Sequence, residues 1–228
     1  MIQFDLDKII HEKRAVTSGY HLMVARGWRI LGQADNLHSP LAYSAFEFRC
    51  SIERALIELF VLIRDKKVSK SDLKAMSSFG KLQKTIVKTF GGQTRFQRTM
   101  TFNKLYAVAG GIPLFSVLDI TILERFWLKL SEYCHRQLKP DETWESMGDQ
   151  WLRKGYELLN EVETYLWSVL VTAKVGWVQP RTMEPEMLKA QEDFVDGRID
   201  QATLETRFTI MGPIIAARVQ DKRSRDAR

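Results

Sequence analysis

The stretch 39-SPLAYSAFEFRCSIERALIELFVLIRD-65 decides the fold, because it predicts one long helix that is apolar on nearly all sides. Its first apolar face has spacings of three and four residues, the period of an α-helix, and consists of Leu41, Ala45, Phe48, Ile52, Leu56, Leu59 and Ile63. A second apolar face consists of Phe46, Cys50, Ile57, Phe60 and Val61. Ser39 predicts the N-cap and Pro40 the first helical position. A helix with two apolar faces has neighbours on several sides, so this stretch predicts the centre of a bundle.

Further helices are predicted on both sides of this central helix. Residues 7 to about 37 predict one long helix, and the short corner at residues 36–40 predicts that it packs antiparallel to the central helix. Ser69 and Asp72 predict a capping box that begins a short helix. Residues 79–90 predict a second short helix, which Gly91 and Gly92 end, and residues 96–109 predict a third.

The second half of the chain predicts two more long helices and a C-terminal extension. Ser116 with Asp119 predicts a capping box that begins a helix ending at Pro140, and Asp141 predicts the cap of a helix reaching residue 174. The predicted fold class is therefore all-α: a bundle of three to four long helices plus short helices over residues 1–175. Residues 176–185 predict a linker, residues 185–195 and 200–211 two short helices, and the last few residues a disordered end. The apolar residues of the 176–228 extension predict that it docks on the bundle or on a partner subunit.

Composition and motifs favour a cytoplasmic protein without cofactor, metal or membrane association. The chain has 228 residues and two cysteines, Cys50 and Cys134, which lie in apolar helical patterns typical of reduced buried thiols. The N-terminus lacks the basic start and apolar run of a signal peptide, and charges interrupt every apolar stretch before it reaches the ~20 residues of a membrane span. None of the four histidines has a metal-ligand partner at an accepted spacing. Phosphate-binding loops, nucleophile elbows and dinucleotide fingerprints are absent from the sequence.

Charge is distributed unevenly along a chain whose formal net charge is +6. From Arg64 to Lys104 there are eleven cations against Asp65 and Asp72, which gives 11 − 2 = +9, whereas residues 141–163 carry seven acids against two cations, or −5. Cations interleaved with hydroxyls and glycine-rich turns are typical of phosphate-backbone contacts, although a solvated lysine face has the same composition. The candidate nucleic-acid-binding residues are Lys66, Lys67, Lys70, Lys74, Lys81, Lys84, Lys88, Arg95, Arg98 and Lys104.

The central helix also carries charged residues among its apolar positions. Arg49 and Glu53 are four residues apart, and Arg54 follows directly. An unpaired buried carboxylate is costly, so Glu53 is expected to pair with Arg49 or with a cation on another helix. These residues predict either a polar lock that fixes the helix register or an Arg/Glu site that lines a groove.

The central helix resembles the HEPN superfamily (higher eukaryotes and prokaryotes nucleotide-binding), whose second helix has the pattern Ala-x-x-x-x-Arg-x-x-x-Glu-Arg. The matching positions are Ala45, Arg49, Glu53 and Arg54. The resemblance implies an all-α bundle, frequent homodimers, roles in toxin–antitoxin or antiviral defence systems and, in many members, metal-independent RNA cleavage. Cleaving members have an Arg followed by His late in the bundle, and no histidine follows His135 here.

Three functions follow from these patterns. The first is a non-catalytic, nucleic-acid-associated helical subunit that binds RNA or DNA phosphates through the segment from Arg64 to Lys104. The second is a HEPN-like ribonuclease that uses Arg14 and His21, because residues seven apart share one helical face and an Arg/His pair suits acid–base cleavage of RNA. The third is a structural adaptor that forms a homo-oligomer or recruits a protein partner through its C-terminal helices.

Overall fold

The protein is all-α, as the sequence predicts, in a computed structural model that describes residues 2–3, 17–65, 67–111, 114–134 and 148–226. The helices are α1 (Ser18–Gln33), α2 (His38–Ile63), α3 (Lys70–Ala75), α4 (Phe79–Thr89), α5 (Gln93–Ala107), α6 (Ile120–Cys134), α7 (Asp149–Trp167), α8 (Pro185–Val195) and α9 (Gln201–Asp226). Short 3-10 turns at Ala109–Gly111 and Pro180–Thr182, a π turn at Ser168–Thr172, and the two-residue strands β1 (Ile2–Gln3) and β2 (Lys67–Val68) complete the described elements.

The chain forms two compact units, each built from two separate segments. Unit 1 consists of Met1–Glu58 and Leu118–Ala173, and unit 2 of Leu59–Val117 and Lys174–Arg228. The sequence predicts a boundary between residues 175 and 176. In the structure, the second segment of unit 1 ends two residues earlier, at Ala173. Residues 176–228 therefore belong to the same unit as the basic segment.

In unit 1, small polar residues bring α1 and α2 close together. The Ser44 hydroxyl donates to the Ala25 carbonyl at 2.8 Å, and the Ser51 hydroxyl donates to the Ser18 carbonyl at 2.9 Å. Both serines are fully buried beside the large core side chains of α2. Their bonds satisfy polar groups that would otherwise be costly to bury, so α1 and α2 pack in direct contact.

In unit 2, the C-terminal helices share a core with α5. This buried cluster consists of Phe102, Ala109, Leu114, Met187, Ala190, Phe194, Leu204, Phe208 and Ile215. The predicted linker is ordered by a buried contact, in which the Val178 N–H donates to the Asn103 side-chain oxygen at 2.8 Å. Most apolar residues that predict docking of the extension are thus buried within unit 2.

Several predicted helix limits are wrong. Helix α2 begins at His38, so Ser39 is not its N-cap, and α7 begins at Asp149 after the N-cap Gly148, not at Asp141, which lies outside the described residues. Three further limits also differ. Helix α1 begins at Ser18 and not near residue 7, since the extended Thr17 is its N-cap and accepts from the Tyr20 N–H; residues 4–16 lie outside the described part. Helix α6 begins at Ile120, because Asp119 alone caps it by accepting from the Thr121 N–H at 2.9 Å. Helix α9 continues past residue 211 to Asp226, with Pro213 inside it.

The capping box at Ser69 and Asp72 is confirmed and is joined by a cation. The Asp72 carboxylate accepts from the Ser69 N–H at 2.9 Å and from the Arg64 guanidinium at 2.8 Å. Burial raises the pKa of Asp72, but the hydrogen bonds from Ser69 and Arg64 outweigh it and hold that pKa below its ordinary value. The carboxylate is therefore more stable ionised in the folded chain than in the unfolded chain.

The Asp72→Asn substitution is expected to lower the free energy of unfolding by about 1–3 kcal/mol at neutral pH, because buried donors lose their charged acceptor. A lowered folded-state pKa gives stability that is present above the unfolded value of about 3.9 and is lost as the pH falls through the folded value. Urea unfolding at several pH values should therefore show a difference from wild type that shrinks below about pH 4. A difference that is unchanged between neutral and acidic pH would contradict this assignment.

Candidate nucleic-acid interface

Unit 2 contains a long run of sequence without any acidic residue. No Asp or Glu lies between Asp72 and Asp119, while helices α4 and α5 within that run carry Lys81, Lys84, Lys88, Arg95, Arg98 and Lys104. The structure separates five of these six cations, all except Lys104, into two groups by what their side chains contact.

The three lysines of α4 form one exposed row. Phe79, Leu82 and Ile86 are buried and fix the inner face of the helix. Lys81, Lys84 and Lys88 follow spacings of three and four on the other side and are all exposed. Within the described residues, their ammonium groups take part in no ion pair or side-chain hydrogen bond. This row, which we call the α4 lysine row, is a set of charges available to a partner.

The turn that ends α4 depends on two glycines. The Gly91 N–H donates to the Lys88 carbonyl at 3.0 Å and the Gly92 N–H to the Val87 carbonyl at 3.2 Å, which is a Schellman motif. Gly91 has φ +80° and Gly92 has φ +120°, conformations that favour glycine. Phe90 anchors the turn through ring contacts with Phe96 and Trp177.

Helix α5 begins directly after this turn. Its N-cap is Gly92, which has no side chain to accept a hydrogen bond from the first N–H groups of the helix. The N–H groups of a first helical turn have no partner within the helix and attract anions. A groove of about 580 Å³ opens here, lined by Gln83, Lys84, Val87, Lys88, Gly91, Gly92 and Gln93. Its lining residues include two lysines and two glutamines beside the positive end of a helix dipole, residue types and a position that suit a phosphate.

The arginines of α5 form the second group and hold α8 in place. Arg95 pairs with Asp196 at 2.5 Å. Arg98 donates to the Phe194 carbonyl at 3.1 Å, at the C-terminal end of α8, where a cation is stabilised by the helix dipole. These two predicted binding residues have structural partners, so they contribute less free charge than the sequence indicates.

The remaining predicted lysines lie on other elements of unit 2. Lys67 on β2, Lys70 and Lys74 on α3, and Lys104 on α5 are exposed. Lys66 lies outside the described residues. The structure thus brings Lys81, Lys84 and Lys88 together on one helix, and places the others on separate elements.

The Arg49–Glu53 pair predicted on α2 is present, and a tryptophan of another helix contacts both of its members. Arg49 lies over the ring of Trp127 on α6, 4.3 Å from its centroid, and Trp127 Nε1 donates to Glu53 at 2.8 Å. The Arg49–Glu53 separation is 3.9 Å, and Arg54 is exposed. Trp127 is therefore the partner that joins Arg49 to Glu53 across two helices of unit 1, and sequence spacing on α2 alone did not identify it.

His21 lies far in sequence from its polar partner. Its Nδ1 is 2.6 Å from a carboxylate oxygen of Glu47, and both side chains are largely buried. Arg14, the other candidate catalytic residue, lies outside the described residues, so the structure gives no geometry for the pair.

The two cysteines, possible metal ligands and possible membrane-spanning helices are the other functional features to consider among the described residues. Burial raises the pKa of Cys50 to about 11 and also raises the pKa of Cys134, so both thiols stay protonated at neutral pH. The described part of the chain contains no group of three or more metal-ligating His, Cys, Asp or Glu residues. No helix described there has the length and apolar composition needed to cross a bilayer.

Gln83 and Gln93 were missed by sequence reasoning, because their place in the groove depends on how the glycine turn folds.

Comparison with known proteins gives no match to a family model, to a curated protein or to a solved structure. The resemblance to the HEPN superfamily therefore stays a prediction from residues 45–54.

Proposed function

We propose that this chain is a non-catalytic, nucleic-acid-associated subunit that binds phosphate backbone through the α4 lysine row and the adjoining groove. The observation that carries the proposal is the row itself: three exposed lysines on one helix face, none paired within the described residues, at the edge of a groove that ends on a helix N-terminus. The resemblance of α2 to the HEPN pattern supports a place for the subunit in a prokaryotic defence or toxin–antitoxin type system.

The spacing of the row suits a polymer with repeated negative charge. Lys81 and Lys88 are seven residues apart, which corresponds to about 10 Å along a helix. Nucleic-acid strands place successive phosphates close enough for three ammonium groups to contact neighbouring phosphates over this length. Because these lysines would contact phosphates and not base edges, binding is expected to depend only weakly on the nucleotide sequence.

The groove adds directional donors to this charge. Phosphate oxygens accept hydrogen bonds from the main-chain N–H groups of a first helical turn. The Gln83 and Gln93 side chains also line the groove, and their amides are donors of the same kind. Lys67, Lys70 and Lys74 are further exposed cations of unit 2 and add positive charge that attracts a polyanion.

Replacing the row by glutamine (Lys81→Gln, Lys84→Gln and Lys88→Gln together) is expected to weaken nucleic-acid binding about a hundredfold near 0.1 M salt, because three counterion-releasing contacts are lost. Fluorescence anisotropy with single-stranded RNA, duplex RNA and duplex DNA measures this loss. The matched control replaces Lys129, Lys154 and Lys189 by glutamine, which removes the same three charges from other exposed positions. Equal losses for both variants, or no binding by the wild type, would contradict the proposal.

The alternative of RNA cleavage has one supporting contact, the short His21–Glu47 hydrogen bond, since a carboxylate fixes the tautomer of an imidazole that acts as acid or base. The same binding reactions distinguish the two functions when the RNA is inspected on a gel. Intact RNA is expected under the proposal, whereas cleavage that disappears in His21→Ala would favour the ribonuclease.

A further inference from the structure

Helix α1 in unit 1 has an outward side that carries no charge. Its exposed large residues are Tyr20 at 58%, Met23 at 54%, Ile30 at 57% and Leu31 at 62%. With Gly27 between them, these residues define what we call the outer face of α1. A surface helix normally presents charged and polar residues to water, so this face is expected to contact another apolar surface.

The charged residues of α1 are all used on its other sides. Arg29 pairs with Glu163 at 2.5 Å, and Arg26 pairs with the same carboxylate at 3.4 Å and lies over the Trp167 ring. His21 contacts Glu47. Arg26 borders the outer face beside Met23 and Ile30, but it is paired with Glu163, so the described residues of α1 offer a polyanion or a charged peptide no unpaired charge here.

The outer face continues onto α2. Trp28 of α1 and Tyr43 of α2 are in ring contact at 5.1 Å, and Tyr43 and Phe46 are half exposed. Six side chains that are at least half exposed offer roughly 600 Å² of apolar surface. That is the upper end of what monomers expose and most of the roughly 800 Å² that each partner contributes to a standard interface.

The order of residues on the face is self-complementary. If two copies of α1 pack antiparallel with Gly27 facing its own counterpart, Met23 faces Leu31 and Val24 faces Ile30. The same register places the large Tyr20 against the small Ala34. A two-fold interface requires that residue i contacts j while j contacts i. A Cβ added at Gly27 would meet no atom of the described residues within 4 Å, so the described residues leave the centre open to a second backbone.

We infer that the outer face of α1 is a homodimer interface, in which α1 packs antiparallel on α1 of a second copy about a two-fold axis at Gly27. The C-terminal helices offer a smaller apolar surface, since Leu204 and Phe208 are buried in the core of unit 2 and only Ile210 and Ile214 are exposed large apolar residues among the described side chains of α9. The inference rests on unit 1 and is independent of the α4 lysine row.

Sedimentation of the full chain tests this interface through its register. The wild type should be a dimer in the micromolar range. Met23→Glu alone and Leu31→Lys alone should each weaken the dimer at least about tenfold, because each places a charge against an apolar partner. The double variant should recover most of the lost affinity. The glutamate introduced at position 23 of each copy then pairs with the lysine introduced at position 31 of the other, which gives two ion pairs across the two-fold axis.

Leu128→Glu is the control, because Leu128 lies on α6 and is exposed to 56%, as much as the tested residues; it should leave the dimer unchanged. Both single variants alter exposed side chains, so circular dichroism should show a wild-type fold. A monomeric wild type, or a dimer that neither single variant weakens, would overturn the inference. A double variant as weak as the singles would overturn the antiparallel register.

Discussion

Phe102→Ala is expected to lower the free energy of unfolding of unit 2 by about 3–5 kcal/mol, the range for removing a buried phenyl ring and leaving a cavity. Phe102 is fully buried at the centre of the cluster that joins α5 to the C-terminal helices. Its ring lies 5.5 Å from that of Phe208 and 6.1 Å from that of Tyr106. The substitution therefore removes contacts between residues that are about a hundred positions apart in the chain.

Hydrogen exchange measured by mass spectrometry locates this effect. Amides of α5, α8 and α9 should lose protection together in Phe102→Ala, because these helices share one core. Val108→Ala is the control in the same unit, since Val108 is exposed to 56% and should change the stability by no more than about 0.5 kcal/mol. Loss of protection confined to α5 would show that the C-terminal helices do not depend on this core.

Glu163→Gln is expected to lower the free energy of unfolding of unit 1 by about 3 kcal/mol, because removing one partner of a buried ion pair leaves an uncompensated charge. Glu163 on α7 binds two arginines of α1, and the Arg29 and Glu163 side chains are each only 13% exposed. Glutamine has nearly the same shape and can accept a hydrogen bond, so the loss measures charge and not packing. Urea unfolding with exchange of the α1 and α7 amides provides the measurement.

Glu161→Gln is a matched control on the same helix. Glu161 pairs with Arg125 at 3.5 Å, but both side chains are more than half exposed, and such pairs contribute only about 0–1 kcal/mol. The same chemical change two residues away should therefore have a small effect. Similar losses for the two variants would show that the Arg26–Arg29–Glu163 group is screened by solvent like any surface pair.

The local patterns of the sequence predicted the fold class and several helix limits. The apolar period of residues 41–63 identified α2, and the glycine pair at 91 and 92 identified the end of α4. The capping box at Ser69 was predicted because both of its partners lie within four residues. These features depend on interactions between near neighbours, which a single sequence displays directly.

Contacts between distant residues were not predictable in the same way. Ser116 was expected to cap α6, but its main chain bonds to Lys174 and Gly176 instead, so Asp119 takes the capping role. Helix α9 was expected to end near residue 211, yet it continues through Pro213, with Ile215 buried in the core of unit 2. In each case a tertiary contact overrides the local preference.

The candidate site could be predicted only in part, because it too combines local patterns with contacts between distant residues. The spacing of Lys81, Lys84 and Lys88 on an amphipathic helix predicted the α4 lysine row. Charge counting could not show that Arg95 pairs with an acid 101 positions away. The groove also depends on the glycine turn and the start of α5, which bring main-chain groups and two glutamines beside the lysines.

The salt dependence of nucleic-acid binding tests the central claim most directly, because it counts the phosphates that are neutralised. The logarithm of the binding constant should fall linearly with the logarithm of salt concentration for the wild type. The triple Lys81, Lys84 and Lys88 variant should have a slope smaller in magnitude by about 2 for single strands and about 3 for duplexes. A variant slope equal to that of the wild type would show that the α4 lysine row does not contact the phosphate backbone.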